Sequence, residues 1–298
     1  MTALNDAGTP SAPKSPRSPG LSGAAGPFVS DGPMTGEAGL TQPVLQATDI
    51  KRHFRIGNRD LGVLFGVNMD LGAGEKLGLI GASGAGKSTL LHSLGLLDRP
   101  SSGKIIVEGI DAWELSPLQR ARLRNRRIGF VFQMYHLLPE LSAVENVILP
   151  GMIEPAGLLG IGGRKRRKLL TEKASELLNS FGLGNRLKHR PSQLSGGEKQ
   201  RVSIARALIL DPPIMIADEP TGNLDSVTGQ SILDIIFAEQ ERRLLSLLLV
   251  THDAKVADRC DRVLHMVDGH MRMPSERPDD VQAEERTDTT DVDFKVDR

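Results

Sequence analysis

A glycine-rich loop between a short apolar run and a helical pattern carries the residues best suited to bind phosphate. Residues 81–88 read Gly-Ala-Ser-Gly-Ala-Gly-Lys-Ser, the pattern GxxxxGK[ST], and Thr89 follows in the helix. Glycines let the backbone turn its N–H groups inward around a phosphate group. Lys87 would neutralise the β- and γ-phosphates, and the Ser88 hydroxyl would hold Mg²⁺. The loop therefore predicts nucleoside triphosphate binding by Gly81, Ser83, Gly84, Gly86, Lys87, Ser88 and Thr89.

Two acidic residues follow another apolar run. Residues 213–217 lead into Asp218 and Glu219, so both carboxylates lie at the carboxyl end of a predicted strand. Asp218 would reach the magnesium ion, and Glu219 would orient or deprotonate the water that attacks the γ-phosphate. An acidic pair after a strand is by itself more often a helix cap or a turn. The phosphate loop in the same chain favours the catalytic interpretation.

The surrounding sequence alternates short apolar runs with longer helical patterns, which predicts an α/β fold with a mainly parallel sheet. We predict strands at residues 77–80, 128–132, 214–217 and 247–250, and helices at residues 201–210 and 229–245. In such sheets the ligand lies beyond the carboxyl ends of the strands. Both candidate sites should therefore meet at one edge of the sheet.

The string Leu-Ser-Gly-Gly-Glu at residues 194–198 separates this chain from the many other proteins with those two motifs. It resembles the signature of ABC-type ATPases. Ser195, Gly196 and Gly197 lie at the N-terminus of a predicted helix, where they would form a second anion site.

Other residues match the pattern of the same family in order. The resemblance implies that Phe54 stacks on adenine, with His53 a weaker alternative, and that Gln133 senses magnesium and water. It also implies that Asp225 lies in the loop that communicates across the dimer and that His252 contacts the γ-phosphate. The predicted catalytic residues are then Glu219, His252 and Gln133, and the predicted metal-binding residues are Ser88, Gln133 and Asp218.

The resemblance also implies an architecture and an assembly. The fold would be that of an ABC-type P-loop NTPase, in which an antiparallel β subdomain and an inserted helical subdomain, at about residues 134–200, accompany the mainly parallel core. Two copies would face each other head to tail, with ATP and Mg²⁺ between the phosphate loop of one copy and the signature of the other. Lys87 and Ser195 of one chain would then serve different nucleotides.

The net charge of zero is a sum over unlike segments. Residues 1–43 are rich in Pro, Gly, Ser and Ala with a net charge of −1, and residues 274–298 carry nine acids against four bases. We predict that both segments are disordered, because they hold too little apolar surface to offset the entropy of ordering. The ATP-binding domain is then residues 44–273, with a net charge of +6.

Composition excludes several classes of protein. Aromatic residues make up only 3% of the chain, which argues against the stacking surface of a single-strand nucleic-acid binder. The single cysteine, Cys260, excludes an intrachain disulfide framework. The longest apolar run, near residues 244–250, is far shorter than the ~20 residues that span a bilayer. We therefore expect a membrane pore to be supplied by other chains and no nucleic-acid partner.

Several further short segments indicate which group within the family the chain resembles. Residues 94–98, 124–125, 134–140, 189–192 and 217–225 are similar to the LolD-type ATPases of lipoprotein release. That resemblance implies integral membrane permease partners and a peripheral position on the cytoplasmic face of the inner membrane. The alternatives are the ATPase of a MacB-type peptide or macrolide exporter and an FtsE-like division ATPase.

Two alternatives of a different class remain. A soluble ABC ATPase outside transport usually carries two nucleotide-binding units or long insertions, and this chain has one phosphate loop and one signature. A non-catalytic nucleotide-binding regulator would be expected to lack Glu219 or His252. Two features depart from the family pattern. The predicted disordered segments 1–43 and 274–298 are longer than the family core needs, and a basic run lies at residues 164–168. For the basic run a solvated helix start is the preferred interpretation, anionic headgroups are the alternative, and nucleic acid is a third that the lack of interleaved aromatic residues disfavours.

Overall fold

The computed structural model describes residues 42–57, 59–153 and 163–272. The predicted disordered segments therefore lie outside the described residues, apart from Gln42 and Pro43. The strands are β1 (Leu45–Ile56), β2 (Arg59–Leu71), β3 (Lys76–Gly81), β4 (Ser102–Val107), β5 (Ile110–Asp111), β6 (Ile128–Val131), β7 (Ile214–Asp218), β8 (Ser246–Val250), β9 (Arg262–Val267) and β10 (His270–Arg272). The helices are α1 (Lys87–Leu94), α2 (Pro117–Arg127), α3 (Ala143–Ile153), α4 (Gly163–Ser180), α5 (Gly196–Leu208), α6 (Ser226–Arg243) and α7 (Ala254–Ala257).

The strands form two sheets. The larger has the order β10-β9-β3-β8-β7-β6, and all its pairings are parallel except that of β9 with β10. The smaller has the order β2-β1-β4-β5 and is antiparallel throughout. The predicted mainly parallel core and antiparallel subdomain are both present. Helices α3 and α4 lie within residues 134–200, the range predicted for the helical subdomain, and both pack on α5, most of which lies beyond that range. The boundaries of the subdomain stay a prediction.

Side chains on the two faces of the parallel sheet belong to two separate hydrophobic clusters. Met215 and Ala217 of β7 face a cluster that includes α3, α4, α5 and α6. Ile214 and Ile216 face the other cluster, which joins α1 to the antiparallel sheet. Because alternate residues of a strand point to opposite faces, one apolar run fills both cores. The sheet is therefore covered on both faces, as the apolar run 213–217 predicts.

Side-chain caps determine where two of the predicted helices begin. Ser195 accepts a hydrogen bond from the Glu198 backbone N–H, and the Glu198 carboxylate accepts one from the Ser195 N–H, so α5 begins at Gly196, before the predicted residue 201. Asp225 accepts a hydrogen bond from the Thr228 N–H, so α6 begins at Ser226, before the predicted residue 229. Both caps belong to predicted site loops, which are thereby joined rigidly to helices.

No helix among the described residues is both long and apolar enough to cross a membrane.

Substituting Gly129 by Ala should destabilise the fold, because strand β6 passes very close to helix α5 there. A Cβ at Gly129 would lie 2.5 Å from the Ala207 carbonyl oxygen, a backbone atom that cannot rotate away. We expect a loss of about 1–3 kcal/mol in the free energy of unfolding, measured by chemical denaturation. Gly163→Ala is the matched control, since no atom lies within 4 Å of the added Cβ. Equal stability of the two variants would contradict the proposed close approach.

Candidate nucleotide-binding site

Four neighbouring strands of the parallel sheet carry the predicted phosphate and catalytic loops at their carboxyl ends. In spatial order, β3 leads into the phosphate loop, β8 into His252, β7 into Glu219 and β6 towards Gln133. Backbone hydrogen bonds continue the register past the strand ends, since the Thr251 N–H donates to the Leu79 carbonyl at 3.1 Å. The sheet thus brings four loops that are distant in sequence to one edge.

The phosphate loop adopts a conformation that depends on its glycines. Gly84 and Gly86 have φ angles of +84° and +99°, in the left-handed region that side chains with a Cβ rarely adopt. Gly86 immediately precedes α1, so the N–H groups of the first helical turn open onto the loop. The Lys87 ammonium donates to the carbonyls of Gly81 and Ala82 at 2.8 and 2.9 Å. Its side chain therefore already curls back over the loop that a phosphate would enter.

Asp218 and Ser88 meet beside the phosphate loop. The Ser88 hydroxyl donates a hydrogen bond to the Asp218 carboxylate. Burial is the main reason that the pKa of Asp218 is raised, and the negative charge of Glu219 adds to it. The interactions with His92 and Lys87 and the bond from Ser88 oppose the rise. A cation at this position would relieve the unfavourable charge.

The donor set suits a magnesium ion. Mg²⁺ is a hard cation that takes few protein oxygens and completes its shell with water and nucleotide phosphates. The carboxylate of Asp218 and the hydroxyl of Ser88 are such oxygens, already within hydrogen-bonding distance of each other. Among the described residues, no group of three or more His, Cys, Asp and Glu could hold a metal. The Ser88 hydroxyl and the Asp218 carboxylate therefore fit a magnesium that arrives with a nucleotide.

Glu219 and His252 also lie together. The His252 Nδ1 is 3.4 Å from the Glu219 Oε2. Glu219 has a φ of +41°, a costly conformation for a residue with a side chain, and its N–H donates to the Val250 carbonyl at 2.9 Å. The neighbouring strand thus holds Glu219 in a strained conformation, which aims its carboxylate towards His252.

Gln133 contacts the loop that follows Glu219. The Asn223 amide donates to the Gln133 carbonyl at 3.0 Å. A Cβ at Gly222 would lie 2.6 Å from the Gln133 Nε2, so a larger residue there would make the Gln133 side chain move. The structure therefore brings the predicted glutamine and the predicted communication loop of Asp225 into one contact.

The signature segment presents its polar groups outward. The Ser195 side chain is exposed, and its oxygen caps α5 through the Glu198 N–H at 3.2 Å. Gly197 is buried, and a Cβ there would lie 2.4 Å from the Thr228 Cγ2 at the start of α6. The hydrogen bond from the Ser195 N–H, and then the Arg186 side chain, lower the pKa of Glu198. The helix cap is therefore fully formed within this chain. Among the described residues, the side chain of Ser195 has no hydrogen-bond partner outside the cap itself.

The two candidate adenine-stacking residues differ in their surroundings. The Arg52 guanidinium lies 4.5 Å from the centroid of the Phe54 ring. His53 instead contacts the edge of the Phe65 ring at a centroid distance of 6.4 Å. The Arg52 guanidinium therefore packs on one face of the Phe54 ring. Stacking of Phe54 on adenine stays a prediction.

The structure adds two residues to those predicted from the sequence. His92 lies on α1, and its interaction with Asp218 acts to lower the pKa of that carboxyl. Its position four residues after Ser88, on the same helical face, is a signal that sequence reasoning missed. Gln200 is fully buried, and its amide donates to the Pro220 carbonyl at 2.7 Å and the Phe132 carbonyl at 3.4 Å. No local pattern marks Gln200, because its two partners are far away in sequence.

Replacing Asp218 by Asn should stabilise the nucleotide-free protein at neutral pH. Because the folded protein raises the pKa of this carboxyl, the folded state binds its proton more tightly, and stability falls as the pH rises through the unfolded value of about 3.8 towards the raised one. The variant should therefore have a higher midpoint of thermal unfolding than the parent at neutral pH. The difference should shrink as the pH falls towards 3.8.

The matched control for this prediction is Asp258→Asn, at an exposed carboxyl. It should leave the unfolding midpoint almost unchanged at both pH values. An Asp218→Asn variant that is less stable than the parent at neutral pH would contradict the unfavourable burial of the charge.

Comparison with known proteins agrees with this geometry. The ABC transporter family matches residues 64–222. The lipoprotein-releasing system ATP-binding protein LolD 2 of Caulobacter vibrioides is 45% identical over 234 residues, which cover 78% of this chain and 99% of that protein. LolD of Shewanella frigidimarina is 44% identical over 78% of this chain and 93% of its own length. The macrolide export ATP-binding/permease protein MacB of Rhodopirellula baltica is 46% identical over 76% of this chain, which spans only 32% of that protein.

Two solved structures have the same fold. A dimeric bacterial ABC transporter cassette is 37% identical with a TM-score of 0.69, over 76% of this chain and 96% of the cassette. A dimeric cassette in a post-hydrolysis state, bound to ADP and Pi, is 34% identical with a TM-score of 0.68, over 78% of this chain and 100% of the cassette. The predicted ABC-type fold is confirmed. The chain belongs to the ABC transporter family and is an ATP-binding, ATP-hydrolysing protein of that family.

Proposed function

We propose that this ATPase is the ATP-hydrolysing subunit of an ABC transporter complex that releases lipoproteins from the inner membrane towards a periplasmic carrier. The observation that carries the proposal is the near full-length match to LolD proteins, which extend over the same single ATP-binding unit. A MacB-type exporter is the second candidate because the identity is similar, but there the chain matches about a third of a longer protein.

The residues at the sheet edge support a division of roles in hydrolysis. The N–H groups of the phosphate loop and the Lys87 ammonium would bind the β- and γ-phosphates. Ser88, Asp218 and Gln133 would hold Mg²⁺, which supplies positive charge to the phosphate oxygens when bound. Glu219 would orient the attacking water or accept its proton, and His252 would contact the γ-phosphate.

The signature supports a second copy of the chain as the other half of each site. In this chain the hydrogen-bond partners of Lys87 belong to the phosphate loop, and those of the Ser195 backbone and hydroxyl belong to α5. An exposed Ser195 at a helix N-terminus is suited to bind an anion that another molecule presents. The resemblance to dimeric cassettes supports a head-to-tail homodimer with two ATP molecules between the copies.

The segment after Gln133 is suited to contact the membrane subunits. Met134 is 68% exposed and Leu138 is 48% exposed, an unusual cost for apolar side chains on a surface without a partner. The Arg206 guanidinium donates to the Tyr135 carbonyl at 2.7 Å and keeps this segment on α5. Contact with integral permease subunits would cover the two apolar side chains. The protein would then work as a peripheral subunit on the cytoplasmic face of the inner membrane, without a nucleic-acid partner.

Substituting Glu219 by Gln tests the catalytic assignment and the transport function together. In proteoliposomes with the permease subunits, the parent should hydrolyse ATP and transfer a lipidated protein to a soluble acceptor. The variant should still bind ATP, while hydrolysis and release both fall by about 10²–10⁴-fold, the usual contribution of a general base. Glu241→Gln, at an exposed position on α6, is the matched control.

Normal hydrolysis by the Glu219→Gln variant would overturn the catalytic role. Parent proteoliposomes that hydrolyse ATP and export a macrolide, without releasing lipidated protein, would replace the LolD-type function with the MacB-type one.

Mixed dimers should distinguish shared sites from sites made within one chain. If each ATP lies between Lys87 of one copy and Ser195 of the other, a Lys87→Ala copy paired with a Ser195→Ala copy retains one intact site. A copy with both substitutions paired with an unmodified copy retains none, because each of its sites has one defect. We expect ATPase activity in purified heterodimers to be higher in the first pairing. Two full sites in the first pairing, or higher activity in the second, would contradict the shared arrangement.

A further inference from the structure

The start of helix α4 has two different faces, although its basic run reads as uniform in the sequence. Arg166 is only 7% exposed and points into the protein. Leu170, one turn further along on the same side, packs against Gly151 of α3. The outward face presents the exposed side chains of Arg164, Lys165, Lys168 and Leu169. Only part of the basic run is therefore available to a partner.

The charges on this face oppose the helix dipole. The first turns of a helix carry partial positive charge from unpaired N–H groups and therefore disfavour cations. Arg164, Lys165 and Lys168 lie there, whereas the exposed acids Glu172 and Glu176 follow towards the C-terminal half. This order is the reverse of the one that would stabilise an isolated helix. An external anionic surface would offset the unfavourable arrangement.

The protein itself neutralises little of this charge. Within the described ranges, Lys168 pairs with Glu172 at 3.8 Å, and the neighbouring Arg167 pairs with Glu145 at 3.4 Å. Arg164 and Lys165 form no ion pair with any described residue. Exposed pairs at such distances contribute little, so Arg164, Lys165 and Lys168 keep most of their positive charge available to a partner.

An exposed apolar side chain lies on the same face as these cations. Leu169 is 49% exposed and lies four residues after Lys165, so the two side chains are neighbours on the surface of α4. Lys168 follows Arg164 at the same spacing. We name this surface the α4 tip and define it as Arg164, Lys165, Lys168 and Leu169.

We propose that the α4 tip binds anionic phospholipid headgroups directly, without help from the membrane subunits. Lysine and arginine attract an anionic leaflet, and the Leu169 side chain can enter the boundary between headgroups and acyl chains. The exposed Leu169 favours a lipid surface over nucleic acid, because the phosphates of nucleic acid attract the cations alone. The acidic segment of residues 274–298 is the competing occupant, since its charge is complementary but its composition offers little apolar surface.

The inference goes beyond the proposed transport function and is tested without it. Purified full-length protein is sedimented with vesicles of phosphatidylcholine alone or mixed with phosphatidylglycerol, at low and at physiological ionic strength. We expect binding to the anionic vesicles only, weakened by salt. The Arg164→Gln/Lys165→Gln/Lys168→Gln variant should bind about tenfold more weakly or worse, because each cation near such a surface contributes severalfold in affinity.

Two control variants make the result specific to the α4 tip. Arg99→Gln/Lys104→Gln/Lys255→Gln removes the same charge from exposed positions elsewhere and should bind like the parent. Leu169→Ser should weaken the binding that persists at physiological ionic strength, where charge is screened. The ATPase activity of the α4-tip variants should match that of the parent, so a failure here is distinguishable from a failure of the proposed function.

Several outcomes would overturn the proposal. Equal binding to neutral and anionic vesicles would remove the role of charge, and equal loss in the two triple variants would remove the role of this surface. If the full chain fails to bind while a chain ending at Arg272 binds, the acidic segment occupies the α4 tip in the intact protein and the lipid proposal fails.

Discussion

Backbone hydrogen bonds between β3, β8, β7 and β6 determine where every loop of the nucleotide site lies. Parallel strands in register end at one edge, so residues separated by more than a hundred positions in sequence come within contact distance there. The two hydrophobic clusters on the faces of the sheet hold that register, because a slip of one residue would exchange the two buried faces of β7. The chemistry of the site therefore depends on packing far from the phosphate.

This rigid frame tolerates local costs at the site. Glu219 has a left-handed backbone conformation, and Asp218 keeps a carboxylate in a partly buried position beside it. Neither arrangement would persist in an isolated loop, since each is unfavourable for the chain around it. A bound cation and nucleotide would relieve the charge, which gives the ligand a physical reason to bind. Asp218 and Glu219 thus lower the stability of the nucleotide-free protein. Binding of a cation and a nucleotide would recover free energy at the same two residues.

The same helix caps that stabilise the fold also prepare the second half of the site. Ser195 and Asp225 cap α5 and α6, and Gly197 lets the two helices approach closely. These segments are consequently rigid before any partner arrives, which lowers the entropy lost on association. Three outward-facing surfaces remain, and each has its own partner in the functions proposed above. The signature would face a second copy of the chain, the segment after Gln133 would face membrane subunits, and the α4 tip would face lipid.

Local sequence determined the phosphate loop, the acidic strand end and the signature, because short motifs of glycine, lysine and carboxylate are recognisable without knowledge of their neighbours. It also located the central strands to within a residue or two, since buried parallel strands are continuous apolar runs. The apolar pattern placed the start of α6 too late because its cap lies before that pattern, whereas the signature already placed a helix N-terminus at Ser195 to Gly197, where α5 begins. Only the tertiary structure decided the strand order, the contact of Glu219 with His252, the roles of His92 and Gln200, and the division of the basic run into buried Arg166 and an exposed face. Those properties depend on which distant residues meet, and pairings between distant residues leave no local trace in the chain.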